Sequence, residues 1–74
     1  MYFKKNLKYL SSLGICNQNQ LSIKLNCTRQ TINSYINGKG EPSYEKLIII
    51  SKTYNVSIDD LLLKDLQFTN YMVR

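Results

Sequence analysis

The chain has 74 residues, of which 43% are hydrophobic and 20% charged, and its formal net charge is +5 at pH 7. A chain of this length holds one small domain, and its longest apolar runs, such as residues 47–50, are too short to span a membrane. The sequence has no histidine, five carboxylates and two cysteines, a set with no recognisable nucleophile–base pair and no four-ligand zinc site, so we predict no enzyme, no metal and no cofactor.

Two helices are predicted before residue 26. The first covers residues 2–13, and its apolar stripe consists of Phe3, Leu7 and Leu10. The second covers residues 18–25 and begins where Asn17 and Gln20 have the spacing of a capping box. Its buried side is formed by Leu21 and Leu25. We expect Asn26 to end this helix in the left-handed conformation, which asparagine tolerates better than most non-glycine residues.

A third helix is predicted over residues 29–36, with Thr28 as its cap. Ile32 faces inward on this helix, together with either Tyr35 or Ile36. The pair Asn37-Gly38 ends the helix, because glycine is the preferred residue after a helix C-terminus.

Two further helices follow the loop at residues 39–42. Ser43 caps the fourth, which covers residues 44–54, and Asn55 closes it. Its inward residues are Leu47, Ile50 and Tyr54. Ser57 and Asp60 have the form of a second capping box, which starts a fifth helix. This helix completes the apolar set with Ile58, Leu61 and Leu62.

The fold predicted from these elements is all-α, a compact domain of five helices around one core. We assign residues 1–64 to this domain and residues 65–74 to a C-terminal extension, which fits either a short helix or an edge strand. Cys16 and Cys27 are predicted as small core residues, with a redox switch or disulfide as the alternative. Residues 1–6 lack the apolar segment of a secretory signal, so we expect a cytoplasmic protein.

The segment of residues 18–39 has the form of a helix-turn-helix unit: two short capped helices joined by a corner at residues 26–28. In such units the second helix enters the major groove of duplex DNA. Polar side chains lie opposite Ile32 on that helix, and we predict that they read bases: Arg29, Gln30, Asn33 and Ser34. Arginine can donate two hydrogen bonds to guanine, and glutamine can pair with adenine through two hydrogen bonds.

The positive charge is concentrated in the same half of the chain. Residues 1–40 contain six lysine and arginine residues and no acidic residue, whereas residues 41–74 contain four basic and five acidic residues. A positive potential over one part of the surface suits phosphate, although solvated surface lysines would give the same composition. Lys4, Lys5 and Lys8 fit either interpretation.

The ordered set of residues from about 3 to 62 resembles the Cro/C1-type (lambda-repressor-like, XRE) helix-turn-helix regulators of bacteria and phages. The residues that carry this resemblance are Asn17-Gln18-Asn19-Gln20-Leu21, Leu25-Asn26-Cys27-Thr28-Arg29-Gln30-Thr31-Ile32, Asn37-Gly38-Lys39, Pro42-Ser43, Leu47 and Val56-Ser57-Ile58-Asp59-Asp60-Leu61-Leu62. The resemblance places Arg29, Gln30 and Ser34 at the usual base-reading positions. It implies phosphate contacts, and we assign these to Gln18, Thr28, Thr31, Asn37 and Lys39.

The sequence also departs from the family pattern. Asn26 and Asn55 stand where glycine is usual, Tyr35 replaces a frequent tryptophan, and Ile36 replaces a frequent acidic residue. The residues after Lys39 are not basic, so the resemblance does not support a strong grip on the minor groove by this loop.

We therefore predict a sequence-specific transcriptional regulator, a repressor, that binds a double-stranded DNA operator as a homodimer. Apolar residues after the motif are expected to form or support the dimer contact, so truncation after Leu62 should weaken self-association: Leu63, Leu66, Phe68, Tyr71 and Met72. The alternative is a protein-interaction module of antitoxin-like or anti-regulator type that keeps the fold.

Overall fold

The computed structural model of the protein describes residues 2–68. These residues form five helices and no strand: α1 (Phe3–Ser11), α2 (Gln18–Lys24), α3 (Arg29–Ile36), α4 (Tyr44–Thr53) and α5 (Ile58–Leu63). The predicted all-α architecture is confirmed, and the bounds of α3 are as predicted. The helices α1, α2 and α4 are one to three residues shorter than predicted because the chain leaves the helix at their cap residues.

Four helices begin at the side-chain caps that the sequence predicts. Asn17 and Gln20 form a complete capping box, in which each side chain accepts a hydrogen bond of 2.9 Å from the other residue's backbone N–H. Thr28, Ser43 and Ser57 each accept a bond from the N–H three residues further on. Of the capping box predicted at Ser57, only the bond from Asp60 N–H to the Ser57 hydroxyl is formed, and the Asp60 carboxylate lies 3.4 Å from the Lys64 ammonium.

Three helices end in the same left-handed turn. Asn26, Gly38 and Asn55 have φ angles of 53°, 75° and 54°, as the sequence predicts for these positions. After α2, Asn26 N–H donates to the Ile23 carbonyl at 3.1 Å, and Cys27 N–H donates to the Ser22 carbonyl at 3.0 Å. This pair of bonds is a Schellman motif, which satisfies the last carbonyls of the helix and turns the chain sharply.

The left-handed turn at Asn26 gives a stability prediction. Asn26→Gly should raise the free energy of unfolding by up to about 1 kcal/mol, and Asn26→Ala should lower it by about 1 kcal/mol, because only glycine adopts this conformation without a Cβ penalty. Urea denaturation measures both variants. Asn19→Gly is the control: it lies inside α2, where glycine should destabilise. Equal stability of the glycine and alanine variants at residue 26 would contradict the prediction.

One hydrophobic core joins the described helices. Its buried members are Leu7, Leu10, Cys16, Leu21, Leu25, Ile32, Tyr35, Ile50, Tyr54, Val56, Leu61 and Leu66. Both residues left open on α3 contribute, since Tyr35 is buried and Ile36 packs against the core from its edge. Cys16 and Cys27 are free thiols, one buried and one partly buried against the core. Ile58 and Leu62, predicted as core residues, are only half-buried.

Asn6 is a buried polar residue that the apolar periodicity did not predict. Its amide nitrogen donates to the carbonyls of Leu61 and Lys64 at 2.7 and 2.6 Å, and its amide oxygen accepts from Leu66 N–H at 3.0 Å. Asn6 is fully buried, and these three bonds satisfy its side chain in the interior. The residue thus connects α1 to the end of α5 and to the chain that follows.

The chain after α5 packs back onto α1. Lys5 forms an ion pair of 2.7 Å with Asp65, and residues 66–68 form a turn rather than a helix or strand. Leu66, predicted at the dimer contact, instead lies in the protein's own core because Asn6 binds its N–H. Truncation after Leu62 would therefore remove part of the core as well as any dimer contact. Tyr71, Met72 and the rest of the predicted extension lie outside the described residues, so its assignment stays a prediction.

Candidate nucleic-acid interface

The helix-turn-helix unit is held by apolar side chains on one side of α2 and α3. Leu21 and Leu25 of α2, with Ile32 and Tyr35 of α3, are buried in the core. The α2 Schellman turn at residues 26–27 leads directly into the Thr28 cap of α3. The two helices therefore meet at a corner whose backbone bonds are satisfied, and the other side of α3 is left on the surface.

The outward side of α3 presents the predicted base-reading residues. Arg29, Gln30 and Asn33 are exposed. Ser34 is half-buried, and its hydroxyl donates a bond of 3.2 Å to the Gln30 carbonyl. Because that bond uses its single hydroxyl proton, Ser34 offers only acceptor capacity to a base edge in this conformation. The exposed guanidinium and amide groups are the stronger candidates for base contacts.

Two threonines form a hydroxyl pair at the start of α3. The Thr28 and Thr31 hydroxyl oxygens lie 3.0 Å apart, and the Thr28 hydroxyl also accepts from Thr31 N–H. One hydroxyl must donate to the other, so the pair retains one further proton that can be donated to an external acceptor. A phosphate oxygen is such an acceptor. The geometry is consistent with the phosphate contacts predicted for both residues.

A polar depression connects α3 with the beginning of α2. It has a volume of about 270 Å³, and its lining residues are Ser11, Asn17, Gln18, Asn19 and Arg29. The depression brings the predicted phosphate contact Gln18 to the same place as the predicted base contact Arg29. Ser11, Asn17 and Asn19 were not predicted as part of the site. Ser11 in particular could not be predicted from the sequence of the motif, because it lies at the end of α1 and reaches the depression only through the packing of the helices.

The loop after α3 carries the remaining predicted phosphate contacts. Asn37 and Lys39 are exposed on either side of Gly38. Lys39 N–H donates to the Ser34 carbonyl at 2.9 Å, and Gly38 N–H donates to the Tyr35 carbonyl at 3.2 Å. These bonds form a second Schellman motif, which fixes the loop relative to α3.

The ionisable groups with clearly shifted pKa values lie outside this polar face. Burial, together with the nearby Cys16, raises the pKa of Tyr54 well above its usual value. The hydrogen bond from Lys5 holds the pKa of the Asp65 carboxyl below its usual value. Within residues 2–68 no three potential metal ligands cluster, and none of the helices there is long and apolar enough to cross a bilayer.

Comparison with known proteins gives one consistent result. A family model described as helix-turn-helix matches residues 15–61. The transcriptional activator BcrR of Enterococcus faecalis is 39% identical over 62 residues, which are 84% of this chain but only 30% of BcrR. An uncharacterised helix-turn-helix regulator of Methanocaldococcus jannaschii is 37% identical over 60 residues, which are 81% of this chain and 91% of that protein.

A solved structure agrees with these matches. The crystal structure of a transcriptional regulator from Listeria innocua superposes with a TM-score of 0.75 and 27% identity, covering 96% of this chain and 72% of that one. The matched region contains the capped helices, the corner and the exposed face of α3 described above. The chain therefore belongs to the Cro/C1-type helix-turn-helix family of DNA-binding transcriptional regulators, which is not a class of enzymes.

Proposed function

We propose that the protein is a sequence-specific repressor that reads the major groove of its operator with α3 and binds as a homodimer. The observation that carries this proposal is the two-sided character of α3. Ile32 and Tyr35 are buried beneath it, while Arg29, Gln30 and Asn33 are exposed on its outer side. A helix held in this way can enter a groove without losing its contacts to the core.

The residues of this face form two groups, those proposed to contact bases and those proposed to contact phosphates. Arg29 and Gln30 are proposed to bind guanine and adenine edges, with Asn33 and Ser34 beside them. Phosphate contacts surround this set and position the helix without reading sequence, and we assign them to Gln18, Thr28, Thr31, Asn37 and Lys39. Six basic and no acidic side chains in residues 1–40 supply the positive potential that such contacts need.

The homodimer is supported by exposed apolar side chains at the end of α5 and in the turn that follows it. Leu63 is 66% exposed and Phe68 is 83% exposed. Contact between two copies through these residues would remove apolar surface from water and would pair two reading helices. In dimers of this kind the two helices lie about 34 Å apart, one turn of B-DNA.

Selection of bound fragments from random duplex DNA tests the proposal. We expect an inverted repeat whose half-site centres are about 10 base pairs apart, and we expect transcription to fall when the selected site overlaps a promoter. Selection of a single half-site would contradict the homodimer, and activation from the site would contradict repression. No enrichment, together with a nearly salt-independent interaction, would favour the protein-interaction alternative.

A further inference from the structure

The side chain of Lys4 crosses the loop that follows α3. A Cβ atom placed on Gly38 would lie 3.0 Å from Lys4 Cδ and 3.4 Å from Lys4 Nζ. The absence of a side chain at residue 38 therefore leaves the space that the lysine occupies. Glycine at residue 38 also suits the backbone, since its φ angle of 75° lies in the left-handed region that glycine adopts most readily. Through this contact, α1 brings an ammonium group to Gly38, which lies between Asn37 and Lys39 in the chain.

The charge of Lys4 is not used in an ion pair. Two salt bridges occur within residues 2–68, Lys5–Asp65 and Lys64–Asp60, and neither involves Lys4. Lys4 is exposed, and it borders a hollow of about 260 Å³ that Glu41 also lines. Lys4 and Lys5 are adjacent in sequence, yet only Lys5 is neutralised by a neighbouring carboxylate. The ammonium of Lys4 is therefore available to an external anion.

We propose that Lys4 contacts a DNA phosphate and extends the interface from the loop at residues 37–39 onto α1. This inference rests on the proposed function, because the loop supplies the neighbouring contacts Asn37 and Lys39. Two cationic side chains from different elements, Lys4 of α1 and Lys39 of the loop, then contact the same stretch of the DNA backbone. The packing of the lysine stem over Gly38 restricts its conformations before binding, which lowers the entropy lost when a phosphate is bound.

The test compares the salt dependence of DNA binding in three variants of the full chain. Lys4→Ala removes the ammonium, Lys4→Gln removes only the charge and keeps most of the stem, and Lys52→Ala is the control. Lys52 is an exposed lysine in the last turn of α4, which contributes no predicted contact. The probe is a duplex of random sequence, because a phosphate contact is independent of sequence.

Both Lys4 variants should flatten the plot of log affinity against log salt by about 0.9 per bound subunit. The variant and wild-type plots meet at one salt concentration. For each tenfold reduction of salt below it, the affinity of the variant should fall about eightfold per subunit relative to that of the wild type. Lys52→Ala should keep the wild-type slope. A steep wild-type slope that Lys4→Gln leaves unchanged would overturn the role of Lys4 alone. A flat wild-type slope would overturn the proposed function and this inference together.

Discussion

Gln30→Ala should weaken binding to the cognate operator by about 1–3 kcal/mol and relax the preference at one base pair, and Arg29→Ala should have an effect of the same size. Both side chains are exposed on the outward side of α3, in its first turn. Each can form two hydrogen bonds with a base edge, and truncation leaves that edge without its partner. Competition between operator and random DNA measures the loss.

Two control variants distinguish the loss of a base contact from a general loss of DNA affinity. Lys39→Ala should weaken binding to operator and random DNA alike, because its predicted contact is to phosphate. Lys52→Ala removes an exposed lysine from α4, which carries no predicted contact, and should leave both affinities unchanged. Equal losses on operator and random DNA for Gln30→Ala would show that Gln30 does not read a base.

Asn6→Leu should lower the free energy of unfolding by about 3 kcal/mol or more. The substitution roughly conserves volume but removes the hydrogen bonds that the Asn6 side chain makes with the Leu61 and Lys64 carbonyls and with Leu66 N–H. Each buried polar group that loses its hydrogen bond costs about 1–3 kcal/mol. The total free energy of unfolding of a small domain is only about 5–15 kcal/mol. Urea or thermal denaturation of the DNA-free protein measures the effect.

The same substitution at an exposed asparagine provides the control. Asn19→Leu, on the surface of α2, should change the free energy of unfolding by about 0.5 kcal/mol or less. If Asn6→Leu were as stable as the wild type, the gain from burying an apolar side chain would outweigh the three lost hydrogen bonds. The connection between α1 and α5 through Asn6 would then not be a major source of stability.

The helices and the outward face of α3 could be predicted because their signals are local. A cap is made between residues three apart, as with Asn17 and Gln20 or Thr28 and Thr31. The left-handed turns at Asn26 and Asn55 follow from the conformational preference of one residue type. The side of α3 that is buried follows from the spacing of its apolar residues, which is set by the helix repeat of 3.6 residues.

The roles of Asn6 and Leu66 could not be predicted in the same way. Asn6 lies on the same side of α1 as Phe3, Leu7 and Leu10, but a polar residue is not part of an apolar pattern, and its partners are 55 to 60 residues away. The sequence around Leu66 does not distinguish it from exposed Leu63, since both are apolar residues near the end of α5. Only the hydrogen bond from Leu66 to Asn6 and the packing of the chain onto α1 distinguish them.

The amino-acid sequence by itself determined four helix caps, three left-handed turns, the helix-turn-helix motif and the polar face of α3, because caps, turns and helical periodicity depend on neighbours within about four residues. Tertiary structure alone decided that Asn6 connects α1 to α5, that Ser11 borders the Gln18–Arg29 depression, and that Lys4 lies over Gly38. Those contacts join residues remote in the chain, and their existence depends on how the helices pack around the shared core.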